Sequence, residues 1–454
     1  SSPYPSAAYY ELQLAECDLQ FEPAGDIDGD GRADFIIGAP RAREAGVAPR
    51  SKMEPGTPSD MPGKAWVVLG YQFAGQPSGS SFTLNRTLVG EHTGDGFGTG
   101  IAGLGDVDGD GLSDFLVGAP TYDDGGEWRG ATYLFTGGAL KENPDASRED
   151  AWTILYGERN DAVGGNIRAV GDLDGDGLGD ALIPGRLRSY VMLGRTTANF
   201  ETFYLREADN ILTGALEGEA FNPRAMSVGD ILGDAVDEML ISTPDFAGTG
   251  TAWLVTGRSL YGTRILDMSD AHGRFVAPGT EIGAHLAAAD LNGDGRKEAV
   301  ISWVGDQTTL SAVDAGYLVS PGQIDLAAQA MVQLVGEPGW SIVDVTSPGD
   351  VDGDGLGDLV VGTRMEGAAL TARTYLITAQ TMRSAATLSL AQADAVFEFE
   401  VDRDYSWATK VIPAGDINAD GKGDLIIVLQ GWSWDDPPRV TPARVQVHLS
   451  PYRL

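Results

Sequence analysis

Histidine and cysteine are nearly missing from this chain of 454 residues, which has four of the first and one of the second. Cys17 alone cannot build an intramolecular disulfide framework. His92, His272, His285 and His448 lie far apart, so a histidine-based centre would need distant segments to converge, and neither G-x-S-x-G nor H-E-x-x-H occurs. Positive charge is scarce as well: 31 Lys and Arg face 66 Asp and Glu, a formal charge of −35. Phosphate recognition needs a basic stripe, so nucleic acid is excluded as a partner. No apolar run approaches the roughly 20 residues that span a bilayer, so no transmembrane segment is expected. Glycine is plentiful, at 62 residues, which suits many tight turns between short strands.

What is present is one acidic pattern, D-x-D-x-D-G-x-x-D followed by an apolar run. Carboxylates at positions 1, 3 and 5 point inward if the chain curls around a hard cation, and Gly at position 6 allows the turn that brings in the position 7 carbonyl and the position 9 carboxylate. Calcium, with its large and adaptable oxygen shell, suits such a loop better than magnesium. The first copy offers Asp26, Asp28, Asp30, Arg32 (through its carbonyl) and Asp34, ahead of FIIGAP. The second offers Asp106, Asp108, Asp110, Leu112 and Asp114; the third Asp172, Asp174, Asp176, Leu178 and Asp180. The fifth offers Asp290, Asn292, Asp294, Arg296 and Glu298; the sixth Asp350, Asp352, Asp354, Leu356 and Asp358; the seventh Asp416, Asn418, Asp420, Lys422 and Asp424. A fourth copy at 230–238 has Leu232 at position 3 and Ala235 at position 6, and is expected to stay empty. Six calcium ions are therefore expected, and they would bring the formal charge from −35 to −23.

The copies begin at 26, 106, 172, 230, 290, 350 and 416, a repeat of about 60 residues from end to end. Such a repeat predicts a single architecture over 1–454. Each unit reads as four short β-runs punctuated by Gly and Pro, for example the stretch Gly96–Leu104 before the loop, FLVGAP at 115–120, Ala131–Phe135 and Ile154–Glu158. Four strands repeated seven times predict an all-β fold, a seven-bladed β-propeller of 28 strands. The last unit lacks a fourth strand, and the spare run at 10–14 is expected to pair with the strand at 443–450 and latch the ring.

Phe97-Gly98, the Asp-rich loop and Gly118-Ala119-Pro120 together resemble the FG-GAP repeat of integrin α-subunit propellers and their bacterial relatives. The resemblance implies seven blades with calcium in the hairpins joining the first two strands, all on one face. It is to the propeller and not to the legs of those receptors, so their heterodimeric role is not implied. Metal in six blades departs from the integrin habit of keeping it in the later ones. The Phe-Gly slot varies: Val163-Gly164, Phe221-Asn222 and Trp407-Ala408 occupy it in the third, fourth and seventh units, and Cys17-Asp18 in the first, which reads Cys17 as a small buried hydrophobe. Ile282-Gly283 and Trp340-Ser341 sit one residue out of step.

Lys422-Gly423-Asp424 matches the short K-G-D recognition sequence, but Asp424 is position 9 of a loop and is read as structural. Loops on the face opposite the metals carry Tyr122, Trp128, Trp303, Trp432 and Trp434, candidates for contact with a protein or glycan. The expectation is a monomeric, non-enzymatic, extracellular, periplasmic or cell-surface interaction and adhesion module, since loops of this kind fill readily where free calcium is near millimolar. The alternative is a carbohydrate-binding propeller or polysaccharide lyase.

Overall fold

The computed structural model describes residues 9–14, 19–42, 62–74, 76, 79–123, 127–142, 148–194, 202–214, 223–243, 251–277, 282–303, 308–313, 322–365, 371–400, 406–432 and 443–449. Among the described residues, seven separate sheets built on antiparallel strands succeed one another along the chain, each a blade of a β-propeller. Seven strands form the inner edges: Gln20–Gly25, Ile101–Gly105, Arg168–Gly171, Arg224–Gly229, Ile282–Ala289, Trp340–Gly349 and Ser406–Gly415. Each inner strand touches the next around the ring, and the last touches the first. Every second strand begins at the position 9 acid of its loop, as in Asp34–Ala39 and Asp114–Ala119, and these two are buried throughout. A strand covered on both faces reads as a continuous apolar run, which is why FIIGA and FLVGA do not alternate.

There is no single central core among the described residues. Phe35, Ile37, Ile426 and Val428 pack the last blade on the first; Val67, Phe97 and Phe115 join the first to the second. The remaining clusters likewise each join two neighbouring blades. Stability is then approximately a sum of neighbour interfaces, as in other repeat folds.

The two halves of the FG-GAP pattern meet across these interfaces. Phe97 is buried with its ring 5.4 Å from that of Tyr133. Gly98 has φ +90°, and a Cβ on Gly38 of the preceding blade would lie 2.2 Å from the Gly98 carbonyl oxygen. Gly118 and Gly164 repeat this approach between the next two blades, where a Cβ on Gly118 would fall 1.9 Å from the Gly164 oxygen. Backbone approach that close has no room for a side chain. In the fourth blade Ser242 stands at the position of Gly38 and Gly118, and its hydroxyl donates to the Gly283 carbonyl at 2.7 Å. Val163, Ile282 and Trp340 are buried in their slots. Cys17 and Phe221 lie outside the described residues.

The structure corrects the count of four strands per blade. Blades two to five have five strands. The extra strand, Thr202–Tyr204, Ile265–Asp267, Gly322–Asp325 or Thr387–Ser389, comes from the following blade and pairs in parallel with the outer edge of the one before. Its apolar anchors, Phe203, Leu266, Ile324 and Leu388, are buried, and so is the first residue of the turn after it: Leu205, Met268, Leu326 or Leu390. Each donated strand covers an edge that would otherwise invite pairing. Runs of three or four residues are too short to show a period, so the sequence pattern alone does not reveal them.

The outer strand of the last sheet is Tyr9–Leu14, antiparallel to Ala443–His448, with Tyr9 opposite His448 and Leu14 opposite Ala443. Tyr10 also packs edge-on against Phe73 of the first blade and donates to its carbonyl at 2.9 Å. Among the described residues, no helix is long and apolar enough to cross a membrane.

Candidate metal centres in the blade hairpins

Every loop is shaped by its own carboxylates. In the first, Asp26 Oδ1 accepts from the amides of Gly29 (2.7 Å) and Asp30 (3.1 Å), and Oδ2 from Gly31 (2.8 Å). Asp28 caps the amide of Asp30, and Asp30 caps that of Arg32. These local bonds wind the chain so that alternate side chains face one point. The position 9 carboxylate has a different task. Asp34 is fully buried, with Oδ2 accepting from Ile27 N (2.8 Å) and Oδ1 from Gly70 N at the end of the third strand (2.8 Å). Asp114 does the same with Val107 and Gly137, Asp180 with Leu173 and Gly194, and Asp358 with Val351 and Ala379. It therefore clamps three strands of its blade as well as facing the loop.

In four loops the carboxylates of positions 1, 3 and 9 converge, with ligand atoms within 4.8 Å of one another: Asp26, Asp28 and Asp34; Asp106, Asp108 and Asp114; Asp172, Asp174 and Asp180; Asp350, Asp352 and Asp358. Burial, and secondarily the neighbouring aspartates, push Asp34, Asp114, Asp180 and Asp358 up to about 7, against the pull of their backbone donors. A cation among them would reverse that shift. The donor set is all hard oxygen and fits calcium. Asp30, Asp110, Asp176 and Asp354, at position 5, are not part of these three-acid groups; each instead caps the amide of position 7.

In the fifth and seventh loops an amide replaces the position 3 acid. Asn292 Nδ2 donates to Glu298 Oε1 (2.7 Å) and Asp294 Oδ2 (3.2 Å), and Asn418 Nδ2 to Asp420 Oδ2 (3.1 Å). Asp290 accepts from the amides of Gly293 and Gly295, and Asp416 from those of Asp420 and Gly421. Asp424 is fully buried and accepts from Ile417 N, so the K-G-D tripeptide does not display its carboxylate.

The loops are also chained to each other, a link the sequence does not announce. The position 8 amide of one loop donates to the position 1 carbonyl of the loop before it: Ser113 to Asp26, Gly179 to Asp106, Asp237 to Asp172, Gly357 to Asp290, Gly423 to Asp350, and Ala33 back to Asp416, all at 2.8–3.0 Å. Position 7 side chains reinforce the chain. Lys422 Nζ donates to the Asp352 carbonyl (2.6 Å), and Arg32 Nη1 to that of Ile417 (3.3 Å). Leu112 and Leu356 lie over Gly29 and Gly293.

The loop at 230–238 keeps the same shape. Asp230 accepts from Gly233, Asp234 and Ala235, Glu238 accepts from Ile231, and Ala235 takes the left-handed φ of +67° that glycine takes elsewhere. Leu232 removes the position 3 oxygen. Arg258, from the turn after the third strand, places Nε 2.6 Å from Asp234 Oδ2.

Of the five aromatic candidates, Trp128 is 55% exposed, at a φ of +46°. Tyr122 is half-buried in a row along the second blade: His92–Tyr122 centroids are 6.5 Å apart, Tyr122–Tyr156 5.4 Å and Tyr156–Tyr204 6.0 Å, with the Arg206 guanidinium over Tyr204 at 4.7 Å. Trp303 is half-buried and donates to Ser311 Oγ at 3.0 Å, so it is a packing residue. Trp432 ends the second strand of the last blade; Trp434 lies outside the described residues.

Residues 23–49 and 97–135 match the FG-GAP repeat. No curated protein matches the sequence. Among solved structures, the chain is similar to BBS1N in its complex with ARL6DN, with TM-score 0.47 and 10% identity over 98% of this chain and 99% of that one. It is also similar to a protein of unknown function from Dyadobacter fermentans DSM 18053, with TM-score 0.40 and 9% identity over 98% and 100% of the two chains.

Proposed function

We propose that this FG-GAP propeller, seven blades of the integrin α type, is a calcium-stiffened interaction module that works outside the cytosol. The observation that carries the calcium reading is the convergence of three carboxylates in each of four hairpins, within 4.8 Å. Like charges at that distance repel unless a cation sits among them. Each ion would be held by the side chains of positions 1, 3, 5 and 9 and the position 7 carbonyl, with Asn292 and Asn418 as neutral ligands in their loops. Bound there, calcium supplies charge neutralisation and cross-links the first two strands of a blade. Six sites are proposed, with none at 230–238, and free calcium near millimolar would keep them filled.

The metals stiffen, and the opposite face recognises. The row His92, Tyr122, Tyr156 and Tyr204, capped by Arg206 and flanked by exposed Trp128, supports a ligand surface on the second blade. Its occupant is a protein segment. A glycan is the second reading, favoured by the same aromatic row, since sugars stack on flat rings. We read the chain as a non-catalytic monomer over 1–454. Metal counting by native mass spectrometry, followed by a surface-protein pull-down beside a glycan array, tests both halves. Six ions and a partner lost on Tyr122→Ala with Tyr156→Ala are expected. Fewer than four ions would refute the calcium half, and a partner indifferent to those substitutions would refute the face.

A further inference from the structure

A cavity of about 500 Å³ lies where the third and fourth blades meet, beside their hairpin loops. Leu173, Leu193 and Leu260 are buried along its wall and Val236 is half-buried, so the surface is chiefly aliphatic. Its size falls within the roughly 300–1,000 Å³ of small-molecule sites. Two side chains account for the space. Val236 is position 7 of its loop, where the other loops carry the longer Leu, Arg or Lys. Leu112 and Leu356 reach to 2.9 Å from where a Cβ on the facing glycine of the preceding loop would stand, whereas Val236 stops at 3.5 Å from that point on Gly175. The turn after the third strand differs too. It runs from Thr136-Gly137 to Lys141 in the second blade and from Thr256-Gly257 to Tyr261 in the fourth. Lys141 lies over the preceding loop, with Nζ 3.4 Å from the place of a Cβ on Gly29, but Tyr261 is 89% exposed.

The wall is held in place by bonds of its own. Asn210 is buried and its Nδ2 donates to the carbonyls of Leu260 and Thr263, while Ile211 N donates to the Arg264 carbonyl at 2.7 Å. Tyr261 N and Thr263 N close the turn on the carbonyls of Gly257 (3.2 Å) and Leu260 (3.1 Å). Four charged residues complete the lining, in two roles. Asp174 belongs to the three-acid group of the third loop, and Asp209 Oδ2 accepts from Leu193 N at 3.1 Å. Arg258 and Arg264 are exposed; the first meets Asp234 through Nε, and the second reaches the Arg206 carbonyl through Nη2. A guanidinium has several N–H donors and no acceptor, so both bring further donors to the rim.

We propose that this cavity binds an amphipathic anion, a small molecule with an apolar chain or ring and a carboxylate- or sulfonate-like head. The apolar body enters among Leu173, Leu193, Val236 and Leu260, and Tyr261 packs against it from the mouth. Removing that body from water supplies the affinity. The head accepts from Arg258 and Arg264, and these charge-assisted bonds set its orientation. The site rests on neither the calcium nor the partner reading.

The test titrates the full chain, in calcium buffer, with 8-anilinonaphthalene-1-sulfonate and follows the dye's fluorescence. Octanesulfonate then competes for the site, with octyl glucoside as the uncharged control of equal chain length, both below their micelle concentrations. The expected result is one saturable site per chain, from which octanesulfonate displaces the dye about ten-fold more readily than octyl glucoside. Val236→Phe fills the cavity from a half-buried position and should weaken dye binding by about ten-fold or more. Val236→Leu, which installs the residue of three other loops, should weaken it less. Arg264→Gln should weaken octanesulfonate by about ten-fold, the usual scale of a charge-assisted bond, and leave octyl glucoside unchanged. If Val236→Phe fails to fold, Val236→Leu and the comparison of the two heads still decide. Absence of dye binding up to about 1 mM, or binding that the folded position 236 variants leave unchanged, overturns the site. Equal displacement by the two heads overturns the anionic ligand.

Discussion

The second and fourth blades carry the same nine-residue hairpin in two chemical states. At 106–114 the acids of positions 1, 3 and 9 converge; at 230–238 Leu232 and Ala235 interrupt the pattern, yet Asp230 still gathers the amides of positions 4, 5 and 6. Positions 1 and 9 therefore set the shape, and the position 3 acid completes the three-carboxylate group. In the fourth blade the Arg258 guanidinium meets Asp234 and supplies locally the positive charge that an ion would bring elsewhere.

Removing every metal should break the comparison most visibly. If each site binds about 100-fold below the free calcium concentration, it adds about 2.7 kcal/mol, and several such terms rival the 5–15 kcal/mol that holds a typical domain. Chelation is expected to lower the melting temperature by tens of degrees, read by circular dichroism; an unchanged melt would falsify structural calcium. The next largest effect separates clamp from ligand. Asp114→Ala should cost about 3 kcal/mol even without calcium, because it orphans the amides of Val107 and Gly137. Asp108→Asn should destabilise only when calcium is present. Denaturant melts with and without EDTA distinguish the two, and equal costs would dissolve the distinction.

Acidity gives a third handle. Burial pushes the carboxyls of Asp34, Asp114, Asp180 and Asp358 up to about 7, well above the ordinary carboxylate range. Ionising them costs the folded state, so calcium-free stability falls as pH rises through 7 and recovers as pH drops. Buried His285 and His448, lowered to about 4, oppose this only below 6.5, where the unfolded chain begins to protonate. The metal-free protein should thus melt several degrees higher at about pH 6.5 than at about pH 8, while the calcium-loaded protein changes little. A melt that moves the other way would place the burden on other groups.

The smallest effect concerns the fourth loop itself. Arg258 is 76% exposed on its side chain, so Arg258→Ala should cost under about 1 kcal/mol. Adding Leu232→Asp and Ala235→Gly to it should raise the calcium count by one in native mass spectrometry. A triple variant with the parental count would show that more than these positions was lost.

The order of elements along the chain follows from residues alone. Seven acidic loops at near-constant spacing, apolar runs after each, and glycines where φ is positive are local demands, satisfied by bonds between residues within ten of one another, and the repeat carries them into a propeller. Tertiary structure decided what depends on distant partners. Asp34 reads as a ligand in sequence and proves also to be a clamp, because Gly70 arrives from 36 residues away. Phe203 and Leu266 belong to the preceding blade's edge, since three residues carry no period but one buried anchor suffices in a groove already built. Glu22 and Arg168 lie far apart in the sequence, and only the arrangement of inner strands side by side brings their charged groups to 3.6 Å. Local hydrogen bonding and burial patterns are written residue by residue; contact between blades is a property of the packed whole.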